Sequence, residues 1–175
     1  MKVCISLGGS VIVPGKVNIK FLREFRKVIL SNEQHKYKIV VGGGKVAREY
    51  MSALDSFGVS KEEQHMLGVK ITKVNAYLVA KILGFKYAAE VPPQKVARIK
   101  GNTVSAGWKP GFTTDVDTAL VAKYWKADFV INVTNVKGVY DKDPRRYKNA
   151  KFLPKLSYEQ LIRICLLYTS PSPRD

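Results

Sequence analysis

"KIVVGGGKVAREY", residues 38–50, runs a stretch of β-branched residues into three consecutive glycines and then into apolar residues at helical spacing. One glycine is enough for a tight turn. A run of them leaves the main chain bare, so that a phosphate or another segment of chain can approach closely. The strand–glycine–helix order is the unit from which a parallel sheet with covering helices is built.

The same unit recurs on either side. Lys2–Leu7 is an almost wholly apolar run, as expected of a strand covered on both faces, and it enters Gly8-Gly9-Ser10. Asn18 is placed to cap a helix whose stripe is Phe21, Leu22, Phe25, Val28 and Ile29. After the glycines at 42–44, Ala47, Tyr50, Met51, Leu54 and Phe57 form the next stripe, and Gly58 stops it. Ser60 with Glu63 reads as a capping box opening a long helix that ends near Leu83 and Gly84. Residues 85–106 read as short strands interrupted at Pro92-Pro93. A helix is expected over Val116–Trp125, and "DFVINVT", 128–134, reads as a third buried strand. The expectation is an α/β fold: a three-layer α/β/α sandwich with a mainly parallel sheet, whose ligands lie beyond the C-terminal strand ends.

With 175 residues, 46% hydrophobic and 25% charged, the chain has ordinary globular composition. No apolar run is long enough for a membrane span, and Met1–Ser10 lacks a signal peptide's apolar core. Cys4 in a buried strand suits a cytoplasmic location. The formal charge of +16 invites an anionic partner, but the basic residues are spread through every segment, as on a solvated surface. Nucleic acid is therefore not the expected partner. Residues 165–175, "CLLYTSPSPRD", break off a helix begun at "LSYEQLIRI" and resemble a translated sequencing-library adapter. Residues 1–164 are read as one domain, incomplete at its C-terminus, and 165–175 as a non-native tail.

Glycines at 8–9 and 42–44, and the segment Lys109–Asp115 with Gly111, Thr113, Thr114 and an acid, all fall at predicted strand-to-helix junctions. Helix N-termini carry unpaired N–H donors and partial positive charge, and glycine admits an anion to hydrogen-bonding distance. Singly, each loop fits a tight turn; together they can hold several phosphates. G-x-x-x-x-G-K-[ST], G-x-G-x-x-G and G-x-S-x-G are absent, and His35 and His65 form no metal ligand set.

Five blocks carry a resemblance: "LGGSVIVP", "VVGGGKVAREY", "GVKITKVNA", "KPGFTTDVDTALVAKYWKAD" and "TNVKGVYDKDP". In this order they resemble the amino-acid kinase superfamily, and within it the archaeal-type uridylate kinases. The resemblance implies an ATP-dependent transfer of phosphate to UMP, with Mg²⁺ arriving on the ATP. It implies that Gly9, Ser10, Gly44 and Arg48 handle ATP phosphates and that Thr134, Asn135, Tyr140 and Asp143 border its nucleoside. For the acceptor it implies Gly43, His65 and the segment Trp108, Lys109, Pro110, Gly111, Phe112, Thr113 and Thr114. Asp115 would organise charge around the transferred group, assisted by Lys45 and Arg48. A homo-oligomer, a hexamer by family habit, is also implied.

Some positions depart from that pattern. Ser6 stands where many superfamily members have lysine, which the archaeal-type enzymes also lack; His65 stands where an aspartate grips the ribose, Trp108 where a smaller polar residue is usual, and Lys137 where an acid is common. His65 either hydrogen-bonds a hydroxyl or is simply a surface helix residue. Two other readings stand beside the first. One is another small-acceptor kinase such as an isopentenyl phosphate kinase, although the histidine motif expected after its glycines is missing. The other is a non-catalytic nucleotide- or RNA-binding protein.

Overall fold

The computed structural model describes residues 1–138, 140–142 and 147–154. The elements, in order, are β1 (Lys2–Leu7), α1 (Gly9–Ile12), α2 (Ile19–Leu30), β2 (Lys36–Val41), α3 (Gly44–Ser56), α4 (Lys61–Leu83), β3 (Lys86–Tyr87), α5 (Pro93–Arg98), β4 (Thr103–Ala106), α6 (Thr114–Trp125) and β5 (Phe129–Val133). Five strands form one sheet in the order β3-β4-β2-β1-β5, and every pairing is parallel. The chain groups into two compact units, Met1–Val133 and the residues from Thr134 onward, and the sheet lies wholly in the first.

Alternation along the strands divides the core. Val3, Ile5, Leu7, Ile39, Val41, Val104 and Ala106 face α2 and α4, meeting Leu22, Ile29, Ala76, Val79, Ala80 and Leu83. Cys4 and Val40 face α5 and α6, meeting Val96, Val121 and Ala122. Each large aliphatic side chain so buried contributes about 2 kcal/mol. The second face also carries buried polar groups: Ser6, Lys38, Thr103, Ser105, Asp117 and Thr118. The expected three-layer arrangement is present.

Caps fall where the sequence placed them. Asn18 accepts from Phe21 N–H, Ser60 from Glu63 N–H, and Gly84 closes α4 at φ 71°. Other expectations are corrected. The region broken at Pro92-Pro93 contains α5, because Pro92 is its N-cap and Pro93 fills the first helical position, where the missing N–H costs nothing. In α3 only Ala47 is buried, while Tyr50 and Phe57 are exposed; this helix packs mainly on α4 and α1 rather than on the sheet. Val28 of α2 is exposed too. The strand read at 128–134 is β5, Phe129–Val133; among the described residues it pairs with β1 alone, and Phe129, Val130 and Ile131 are exposed rather than buried.

Candidate functional site

Register brings the strand ends together. Leu7 lies opposite Val41 and Val133, and Val41 opposite Ala106, so four strands finish level with one another. The loops that leave them are held to this edge by Gly42 N–H donating to Leu7 O and Gly8 N–H to Val133 O, both at 2.9 Å. Thr114 sits between two loops: its Oγ1 is 3.3 Å from where a Cβ on Gly42 would be, and its Cγ2 is 3.7 Å from the same point on Gly107.

The glycines serve chain-to-chain contact first. A Cβ on Gly9 would strike the backbone of Gly42, Gly43 and Gly44, and one on Gly44, where φ is +64°, would strike Gly9 and Ser10. Another segment of chain is thus one of the things the bare backbone at 42–44 admits. Beneath it, buried Asn75 of α4 donates from Nδ2 to Gly42 O at 3.0 Å and to Gly43 O at 3.4 Å. A trans peptide points N–H opposite to C=O, so pinning these carbonyls turns the Gly43 and Gly44 amides away from Asn75. Gly43, the N-cap of α3, makes no side-chain cap to the first-turn amides.

The third loop is built by α6 and α4. Thr113 Oγ1 accepts from Val116 N–H at 3.3 Å, a cap that uses a lone pair and leaves the hydroxyl proton available for donation. Gly107 N–H donates to Thr72 Oγ1 of α4 at 3.0 Å. Asp115, part-buried in the first turn of α6, accepts from Ser6 Oγ at 2.9 Å and from Asn132 Nδ2 at 3.3 Å. Hydroxyl and amide donors from β1 and β5 therefore orient this carboxylate at the junction of three elements.

The remaining expected residues are placed as follows. Ser10 is half-buried in α1. Arg48 lies exposed on α3, and Lys45 ion-pairs Glu49 there at 3.4 Å. His65 is exposed, on the side of α4 that carries Gly68 and Thr72, one turn before the first and two before the second. Trp108 is half-buried; Lys109 Nζ lies 4.8 Å from the Phe112 ring centre, Phe112 N–H donates to Lys109 O, and Gly111 turns at φ +82°. Thr134, Asn135 and Tyr140 belong to the second unit, where Tyr140 bridges to Phe152. Asp143 and the tail at 165–175 lie outside the described residues.

Three contributors escaped the sequence reading. Thr72 and Asn75 interrupt the buried stripe of α4 with polar groups, which is the signal that was available. Asp117, 1% exposed, accepts from Trp108 N–H at 3.0 Å, and burial pushes its carboxyl up to about 6 against the opposing pull of that N–H.

The model of the amino acid kinase family matches residues 1–170. The chain belongs to the amino acid kinase family. Among relatives, a uridylate kinase of Thermococcus sibiricus is 38% identical over 172 residues, covering 95% of this chain and 76% of its own length. The crystal structure of a uridylate kinase from Archaeoglobus fulgidus superposes with a TM-score of 0.79 at 38% identity, covering 97% of this chain and 80% of that one. A UMP kinase from Bacillus anthracis, 23% identical with a TM-score of 0.73 over 94% of this chain and 78% of its own, shares the fold. In this amino acid kinase no helix among the described residues is long and apolar enough to cross a membrane. Nor do those residues contain a group of three His, Cys, Asp or Glu able to hold a metal ion.

Proposed function

We propose that the chain transfers the γ-phosphoryl group of ATP to UMP, giving ADP and UDP. The observation that carries this reading is the level convergence of Gly8–Ser10, Gly42–Gly44 and Lys109–Asp115 at one sheet edge. An oxygen of the UMP phosphate attacks the γ-phosphorus, a new P–O bond forms, and the bond to the β-phosphate oxygen breaks as ADP leaves. Such a transfer needs two nucleotides held in line and their charge neutralised more than it needs covalent help.

The residues divide that work. Backbone amides of the α3 first turn, with Gly9 and Ser10, meet phosphate oxygens while already oriented, so little reorganisation is required as charge shifts. Arg48, one turn into α3, and Lys45 add positive charge. The Trp108–Thr114 loop receives UMP, with Gly43 near its phosphate, the Thr113 and Thr114 hydroxyls donating, and His65 toward the ribose. Asp115, oriented by Ser6 and Asn132, arranges the cations around the moving group. Thr134, Asn135, Tyr140 and Asp143 are assigned to the nucleoside of ATP. The donor set at the edge is amides and hydroxyls with one oriented carboxylate, which suits a Mg²⁺ carried by ATP phosphates; bound there, the ion would neutralise their charge. A cytoplasmic homo-oligomer, hexameric by family habit, is part of the same proposal.

The test is a coupled ADP-release assay on the full chain with UMP, CMP and small phosphorylated acceptors. UMP-dependent ADP formation at the highest kcat/KM is the expected result. Equal rates with every acceptor would remove the UMP assignment, and ATP or RNA binding without turnover would favour the non-catalytic reading.

A further inference from the structure

The chain leaves β4 through two consecutive peptide N–H groups, each held by a buried side chain from a different helix layer. Gly107 N–H is taken by Thr72 of α4 and Trp108 N–H by Asp117 of α6, both at 3.0 Å. Thr72 is 7% exposed and Asp117 1%. Asp117 is not a second copy of Asp115: the latter faces Ser6 and Asn132, and the former faces the loop backbone.

Asp117 is also an expensive residue to keep. Its Oδ1 is buried with no hydrogen-bond partner among the described residues. Desolvation pushes the carboxyl up to about 6, with the Trp108 N–H pulling it back. A buried carboxylate with one oxygen unmatched is a costly way to fill space, and the hydrogen bond that it does make is to the loop backbone. The position therefore does something other than fill the core.

The loop beyond it shows what. Residues 109–112 form a turn closed on itself, with Phe112 N–H on Lys109 O at 3.2 Å, the lysine over the Phe112 ring, and Gly111 in the left-handed region. Its far end is fixed by the Thr113 cap on Val116 N–H. Its near end is fixed at Trp108, by Asp117. A closed turn anchored at both ends moves as a body when either anchor is released.

We propose that Asp117 is a positioning residue for the acceptor: by holding the Trp108 amide it sets where the Lys109–Phe112 turn stands, and so governs acceptor affinity without entering phosphoryl transfer. This rests on the reading of residues 108–114 as the acceptor loop. Asp117→Ala removes the anchor, whereas Asp117→Asn keeps an acceptor oxygen of the same reach.

The experiment uses the full chain with two readouts, amide hydrogen exchange at Trp108 and steady-state kinetics with UMP and ATP. Asp117→Ala is expected to speed exchange at Trp108 at least about tenfold. It is expected to raise the KM for UMP about tenfold while kcat and the KM for ATP stay within about twofold. Asp117→Asn is expected to return both readouts to within about threefold of the starting protein. Unchanged exchange in Asp117→Ala overturns the proposal, as does a fall in kcat at constant KM, or an Asn variant as impaired as the Ala one. If Asp117→Ala does not fold, Asp117→Val, closer in volume, takes its place. A starting protein that makes no UDP refutes the acceptor reading instead, and the exchange measurement still decides whether Asp117 anchors the loop.

Discussion

Gly9 and Gly44 pack backbone against backbone, each standing where the other's side chain would be. Gly9→Ala is therefore expected to destabilise the fold by at least about 2 kcal/mol, since main chain rather than a mobile side chain must move. Gly15 is the control: nothing lies within 4 Å of a Cβ there. Gly15→Ala should stay within about 0.5 kcal/mol. Urea denaturation of both variants checks the contrast, and equal midpoints would refute it.

Asn75 holds two carbonyls of the glycine run from below. Asn75→Ala leaves them buried without that donor and should cost about 2 kcal/mol. Asn75→Asp should cost more, because a carboxylate would then face the Gly42 and Gly43 oxygens. Thermal unfolding at neutral pH orders the three proteins.

Ser6 and Asp115 form a pair across β1 and α6 at 2.9 Å. Ser6→Ala should lower kcat about tenfold, roughly 1.4 kcal/mol of barrier, by loosening the carboxylate. Asp115→Ala should lower it about a hundredfold or more. Both are expected to unfold at nearly the starting temperature, and a large loss of stability in Ser6→Ala would move that residue's role from chemistry to packing.

Lys38 is fully buried in β2, with Nζ donating to Ile99 O at 2.6 Å and Gly101 O at 3.2 Å. Burial lowers it from 10.5 to about 8, with smaller influences from Cys4 and Lys86. The folded value lies below the unfolded one, so the penalty for the buried charge is fully present below pH 8. It is relieved as pH rises toward 10.5, because the folded amine loses its proton first, and the neutral amine still has two N–H groups for the two carbonyls. Relative to Lys38→Met, the starting protein should gain roughly 3 kcal/mol across that window. Paired denaturation curves at pH 7.5 and 10.5 measure it, and parallel shifts would contradict it.

How much of this was legible beforehand depends on whether the deciding force was local. Lys2–Leu7 and the strand ending at Val41 announce themselves as apolar runs entering glycine, and Asn18, Ser60 and Gly84 mark helix ends by their own chemistry. The three loops of the candidate site were visible for the same reason. What was hidden depends on distant partners. Tyr50 and Phe57 keep helical spacing, but α3 packs on other helices, and β5 reads as a core strand yet has one neighbouring strand among the described residues. Asp117 lies in the first turn of α6, where an acid is ordinary; only the arrival of the Trp108 amide gives it another task. Lys38 was hidden because its two carbonyl partners come from the far end of α5.

The mutual exclusion at Gly9 and Gly44 reaches beyond stability. Two loops that fill each other's volume cannot be redesigned one at a time: lengthening either, or giving either a side chain, forces its neighbour to be rebuilt. Whatever displaces the end of β1 is felt at once at the mouth of α3, through hard contact and without an intermediary.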